Sequence, residues 1–153
     1  MKPSTGWALV GAQFGLLAAL LVLPGGDLWP RSLVTGIIAG AMVLKGVLIA
    51  IAGGMALGSS LTPTPIPKDD GQLVTSGIYA YIRHPIYMGL LAGALGVAVW
   101  GASIAHFLAV LALAGVLYAK IFHEEKLMSK RYPEYLSYAT TTGRVFPKLG
   151  WMR

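Results

Sequence analysis

Cysteine is absent from the sequence, and that single absence excludes disulfides, thiolate metal sites and a cysteine nucleophile. Charge is scarce as well. Asp, Glu, Lys and Arg make up 12% of the residues and hydrophobic types 56%, whereas roughly a quarter of an ordinary soluble domain is charged. A lipid solvent accounts for this composition. Length is the third limitation: 153 residues make one domain, and helices of roughly 20 residues each allow four spans with modest loops. No room remains for a separate soluble catalytic domain, so any active site sits among the helices or at their ends. Acidic residues are the scarcer charge, leaving a formal net charge of +6. The basic residues crowd beside apolar runs and form no separate groove, which argues against nucleic acid and for anionic lipid headgroups as the electrostatic partner.

Apolar runs are what the sequence has in abundance. They predict membrane spans over 6–23, 33–57, about 85–100 and 104–122. The first is long enough to span, and Pro24-Gly25-Gly26-Asp27 after it lacks a small-x-small cleavage pattern, so it reads as a retained helix and not a signal peptide. Pro24, Gly25, Gly26 and Pro30 mark the turn before re-entry. Residues 58–82, with Pro63, Pro65, Pro67, Lys68, Asp69 and Asp70, are too polar to face lipid. Gly101-Ala102-Ser103 is short enough to force an antiparallel hairpin between the third and fourth spans. The third span is brief for a full crossing. Residues 123–153 are polar, basic and aromatic, and are expected to continue the fourth helix outward before folding along the membrane surface. The fold class is therefore an all-α polytopic membrane protein of about four transmembrane helices, with a C-terminal helical hairpin and a cytoplasmic polar tail. Lys2, Lys68, Arg83 and the basic residues from Lys120 onward fall on one side, and Arg31 on the other. The positive side is normally cytoplasmic, which puts both termini there, in a bacterial or archaeal inner membrane.

Glycines spaced by four, at Gly11/Gly15, Gly36/Gly40, Gly54/Gly58 and Gly89/Gly93, predict close helix packing within the bundle or a homodimer through one such face. Lys45 lies in the middle of the second span, where a lysine costs about 2.5–3.5 kcal/mol on insertion scales, so it is expected to face protein or water. Two readings stand for it: a structural lysine bonded to helix carbonyls, or a residue near a ligand. Gln13 and His106 read as packing or interfacial residues. Glu124 pairs on its own helix with Lys120 as an ordinary surface pair, whereas Glu125 has Ile121, Phe122 and Met128 as helical neighbours and needs a cation from elsewhere. Arg83-His84-Pro85-Ile86-Tyr87-Met88-Gly89 is the second dense patch. Pro85 suits the first turn of a helix, which leaves Arg83 and His84 at its mouth and Tyr87 in its first turns. Upstream, Ser76 is a candidate cap, and Tyr79 and Tyr81 add to an aromatic belt.

The run LVTSGIYAYIRHPIYMG, followed after a helical hairpin by EEKL, then RYPEYLSY and Pro147, resembles the isoprenylcysteine carboxyl methyltransferase family over roughly residues 58–149. The RHPxYxG element also resembles the looser RxPxxxG pattern of the related phospholipid methyltransferases. The resemblance implies that S-adenosylmethionine is held at the cytoplasmic helix ends, within about 68–89 and 120–149. Carried over by motif, the cofactor-binding residues are Leu73, Val74, Gly77, Tyr79, His84, Tyr87, Glu124 and Glu125, with Arg83 and Glu125 as the catalytic residues. No metal is implied.

The residue types agree with that chemistry. Methyl transfer from a sulfonium is an in-line displacement that needs alignment and exclusion of water, not a metal or a covalent intermediate. A carboxylate binds an ammonium or ribose hydroxyls, an arginine holds a carboxylate bidentately, and tyrosine faces favour a sulfonium. A cavity between helices surrounded by lipid implies a lipophilic small-molecule or lipidated acceptor, in the named family a prenylated carboxylate. Alternatives are a phospholipid amine N-methyltransferase, a non-catalytic membrane scaffold or lipid-binding protein, and an NADPH-dependent sterol reductase, for which the chain is short.

Overall fold

The computed structural model describes residues 3–148. Lys2 and Arg153, which contribute to the charge asymmetry, lie outside the described residues. Regular structure among the described residues is helical: α1 (Pro3–Val22), α2 (Leu33–Leu57), α3 (Pro85–Gly101), α4 (Ile104–Arg131) and α5 (Tyr135–Thr141), with 3₁₀ turns at Gly58–Ser60 and Gly77–Ala80. Three helices, α1, α2 and α4, are long and apolar enough to cross a membrane, while α3 is a shorter apolar helix. Seventeen residues in α3 rise about 25 Å, less than the roughly 30 Å of a hydrocarbon core. It packs mainly against α2 and also against α4. Outward faces carry exposed Leu21, Val22, Leu33 and Met55, the inverse of a soluble surface and what a lipid solvent requires.

The two tight turns are knitted together at one end of the bundle. Gly26 and Leu28 donate backbone N–H groups to the carbonyls of Gly101 and Ala102 at 2.8 and 3.0 Å. Trp29 Nε1 donates to the Val99 carbonyl at 3.0 Å and Arg31 Nε to that of Trp100 at 3.1 Å. A Cβ on Gly26 would stand 2.6 Å from the Ala102 carbonyl oxygen, so the close approach needs glycine. Ala102 ends α3 in the left-handed conformation (φ 49°), Ser103 caps α4 through the His106 N–H, and Ser32 and Thr35 form a capping box on α2. His106 is thereby a buried packing residue, its Nδ1 2.8 Å from Ser103 Oγ.

Close helix packing holds at Gly89/Gly93, where a Cβ on Gly46 would stand 2.5 Å from the Gly89 oxygen and 2.6 Å from the Gly93 nitrogen, but not at Gly11/Gly15. The seam between α2 and α3 repeats every seven residues: Ala39, Gly46 and Gly53 face Gly96, Gly89 and the Pro85–Ile86 pair. A Cβ on Gly89 would likewise come 2.5 Å from the Gly46 oxygen. Gly11, Gly15, Gly40 and Gly54 have nothing within 4 Å of such an atom. A seven-residue repeat keeps one helix face on its partner over several turns, which a single four-residue step does not. On the other side of α3, Leu20, Ala94, Ala98, Val110, Leu113 and Leu117 make a continuous core with α1 and α4. Lys45 is exposed on α2 and bonds to no helix carbonyl among the described residues.

At the opposite end, the polar segment 58–84 and the tail are tied to each other. Ile82 and Gly143 form an isolated parallel bridge. Arg83 and His84 donate their N–H groups to the carbonyls of Gly143 and Arg144 at 2.8 and 2.9 Å, and the Gly143 N–H returns a bond to Tyr81. A side chain at Gly143 would run into the Phe146 carbonyl. Tyr132 Oη donates to the Gly71 carbonyl and Tyr138 Oη to that of Tyr79, each at 2.6 Å, and Arg131 bonds the Asp69 carbonyl. α4 thus continues well past its apolar part, as the sequence implies, and its outer end clamps the proline-rich strap.

Candidate active site

Pro85 occupies the first turn of α3, and the residue before a proline is pushed out of helical geometry. His84 accordingly has φ −126° and ψ 60°, which turns Arg83 and His84 inward from the helix mouth. Both side chains are nearly buried, at 8% and 4% exposure. Arg83 Nε donates to Glu125 Oε1 at 2.9 Å. Its Nη1 donates to the Ala139 carbonyl at 3.1 Å and to both oxygens of Thr142. Nη2 makes no hydrogen bond among the described residues. The second oxygen of Glu125 accepts from Arg144 Nε at 2.9 Å, and His84 Nε2 lies 3.3 Å from the first. Glu125 thereby finds the cations its own helix lacks.

Glu124 is organised differently. Its Oε2 accepts from Tyr87 Oη at 3.0 Å and lies 3.8 Å from His84 Nδ1. His84 stacks on Tyr87, with ring centroids 5.6 Å apart and planes 8° apart. Lys120 is not the surface partner of Glu124 that the sequence suggests. It is among the largest fully buried side chains, donating from Nζ to Gln13 Oε1 at 2.6 Å and to the Pro63 carbonyl at 3.3 Å. The Tyr87 ring lies 5.1 Å from the same ammonium. Burial of an ammonium requires such partners, and Gln13, on an otherwise apolar α1, supplies the main one.

The tyrosines around the site are held protonated. Burial pushes the Tyr138 phenol up to about 12, so it stays a donor to the Tyr79 carbonyl. Burial, followed by the charge of Glu124, raises Tyr79 further. Tyr135 is raised by burial and then by the charge of Glu125.

Two cavities meet at these residues. One is a narrow polar cleft of about 80 Å³ between the strap (Pro65, Pro67, Gly71 to Val74) and Tyr132, Tyr135 and Tyr138. The other, of about 350 Å³, lies between α1, α3 and α4 and is lined by Gln13, Phe14, Leu61, Pro63, Ile86, Tyr87 and Lys120. Phe14 and Leu61 leave its rim exposed and apolar. Leu57, Thr62, Tyr79, Arg83, His84 and Glu124 line both.

Of the residues singled out in the sequence, Leu73 and Val74 line the polar cleft, and Tyr79, Arg83, His84 and Glu124 form the common wall. Tyr87 lines the apolar cavity alone. Glu125 and Gly77 line neither. Glu125 sits behind the wall as the acceptor that orients Arg83, and Gly77 supplies the left-handed φ of 61° that starts the second 3₁₀ turn. Ser76 stands at the cap position of that turn without a side-chain cap bond. Lys120, Gln13, Tyr132, Tyr135 and Arg144 take part without having been singled out for the site. The available signal was the pair of long polar side chains, Gln13 and Lys120, inside otherwise apolar helices.

The family described as phospholipid methyltransferase matches residues 34–135, which include all but the first residue of α2, the strap, the Arg83-His84-Pro85 element and both glutamates. Among curated proteins, the chain is 40% identical over 88 residues to the cobalt-zinc-cadmium resistance protein CzcN of Cupriavidus metallidurans, covering 56% of this chain and 40% of that protein. It is 39% identical over 84 residues to the nickel-cobalt-cadmium resistance protein NccN of Alcaligenes xylosoxydans xylosoxydans, covering 54% and 39%. These matches thus span about two fifths of the relatives' length.

Proposed function

The chain belongs to the phospholipid methyltransferase family, and from that premise we propose that it transfers a methyl group from S-adenosylmethionine to a lipophilic carboxylate, as isoprenylcysteine carboxyl methyltransferases do. The observation that carries this reading is the common wall: a polar cleft and an apolar cavity share Tyr79, Arg83, His84 and Glu124. A transfer between a water-soluble donor and a lipid-soluble acceptor needs such a meeting point.

The donor set of the cleft suits the cofactor. Glu124 can take its ammonium or ribose hydroxyls, and the faces of Tyr132, Tyr135 and Tyr138 suit a cationic sulfonium. When bound, S-adenosylmethionine supplies an electrophilic methyl carbon, whose bond to sulfur breaks as the acceptor oxygen bonds to it. The strap forms one side of the cleft, against Tyr132, Tyr135 and Tyr138 on the other. Arg83, fixed through Nε and Nη1, keeps Nη2 for an acceptor carboxylate, and buried Lys120 adds positive charge to the apolar cavity. Glu125 is a positioning residue, acting through Arg83. Under this reading the site end faces the cytoplasm, in line with the basic residues gathered there, and the acceptor enters from lipid past Phe14 and Leu61.

The family description favours a second acceptor, a phospholipid amine, which Glu124 at the common wall could attract. Isothermal titration of the protein in detergent with S-adenosylhomocysteine tests the cofactor half of the proposal. Saturable binding supports it, and no heat at high micromolar ligand sinks it.

A further inference from the structure

We propose that Gln13 makes the apolar cavity selective for lipophilic anions, because it anchors the Lys120 ammonium without neutralising it. This selectivity rests on the cavity being the acceptor site of the proposed methyl transfer. Gln13 stands on α1 (Pro3–Val22), ahead of the residues 34–135 that match the family. The residue that decides what the cavity accepts thus comes from a helix outside the matched region.

Lys120 is 2% exposed and Gln13 6%. A buried ammonium ordinarily meets a carboxylate. Lys120 instead has three neutral partners: Gln13 Oε1 at 2.6 Å, the Pro63 carbonyl at 3.3 Å and the face of the Tyr87 ring at 5.1 Å. It forms no ion pair among the described residues. Glu124, one turn further along α4, accepts from Tyr87 Oη, and Glu125 is held by Arg83 and Arg144. The positive charge is therefore left for a ligand in the cavity that Gln13 and Lys120 both line.

An ammonium only donates, so its contact fixes the orientation of the Gln13 amide, with the oxygen towards Lys120 and Nε2 turned away. That Nε2 makes no hydrogen bond among the described residues, and Arg83 Nη2, from the same cavity wall, is equally unspent. Two unused donors beside a cation complement a carboxylate and offer a protonated amine no acceptor. Glu124 also lines the cavity, but under the proposed function its carboxylate belongs to the cofactor. A glutamate at position 13 would match the size of Gln13 and bond Lys120 equally well, yet cancel the charge. The neutrality of Gln13, and not its hydrogen bond alone, is what the selectivity depends on.

The test compares a dansylated undecanoic acid with its matched amine, binding to the full chain in phosphatidylcholine nanodiscs. Energy transfer from tryptophan, corrected for protein-free discs, reports both affinities. The carboxylate is expected to bind about tenfold or more tighter than the amine. Gln13→Glu should bring the two within about threefold of each other, as should Lys120→Met. A merely structural Gln13 would tolerate the isosteric glutamate, so a preference that survives Gln13→Glu overturns the proposal. Equal binding of the two probes by the parent chain overturns it as well. If Gln13→Glu does not fold, Lys120→Met decides, and a preference that survives it is equally fatal. An anion preference in a parent chain that does not bind S-adenosylhomocysteine would support the selectivity and sink the methyltransferase reading instead.

Discussion

Arg83 and Glu125, 42 positions apart in the chain, meet at 2.9 Å through Nε and Oε1, with both side chains almost out of solvent. The pair joins the mouth of α3 to the outer end of α4. Removing one member of a buried pair leaves the other charge uncompensated, at a cost of about 3–5 kcal/mol.

Glu125→Gln should therefore lower unfolding stability by about that amount, and turnover by more than about a hundredfold through loss of Arg83 alignment. Arg144→Ala removes the half-exposed partner of the same carboxylate and should cost about 1 kcal/mol or less. Chemical denaturation in mixed micelles, combined with single-turnover rates, checks the order. A Glu125→Gln protein as stable and active as the parent would mean the pair is incidental.

Gly46→Ala puts a methyl where the backbone of Gly89 already stands, and overpacking of this kind costs about 1–3 kcal/mol. Gly40→Ala meets open space and should be neutral or gain up to about 1 kcal/mol from helix propensity. Parallel unfolding curves of the two variants test the seven-residue seam, and the reverse order contradicts it.

Lys120→Met keeps most of the buried volume and removes the ammonium. kcat/KM for a lipophilic carboxylate should fall about tenfold or more, while S-adenosylhomocysteine affinity changes by less than about threefold. Equal losses in both would assign Lys120 to stability alone.

Ligand in the polar cleft should hold the strap against the tyrosines that flank it. Hydrogen exchange over 61–74 is expected to slow about tenfold or more on addition of S-adenosylhomocysteine, with α2 unchanged. No change in the strap would separate the cleft from cofactor binding.

Features with local causes were legible in the sequence. The bounds of α2 follow from an apolar run between Ser32 and Gly58, the start of α3 from Pro85, the hairpin from Gly101-Ala102-Ser103, and the need of Glu125 for outside cations from its own helical neighbours. The rest depends on partners far apart in the chain. Lys120 resembles a surface residue until Gln13, 107 positions away, is brought beside it. The Ile82–Gly143 bridge that presents Arg83 and His84 leaves no periodic trace. The glycine seam was obscured because four-residue spacings are frequent in apolar helices, while the working repeat spans seven. The division of the two glutamates, one on the common wall and one behind it, follows from a tail that folds back on the mouth of α3.

The most direct measurement of the central claim is transfer of a labelled methyl group from S-adenosylmethionine to lipids of native membranes by the purified chain, with Arg83→Ala as control. The expected result is a labelled product in the lipid fraction that base hydrolysis releases as methanol, as a methyl ester must, and no product with Arg83→Ala. A base-stable label on a phospholipid amine would contradict the carboxylate acceptor, and the absence of any Arg83-dependent label would contradict the methyltransferase reading itself.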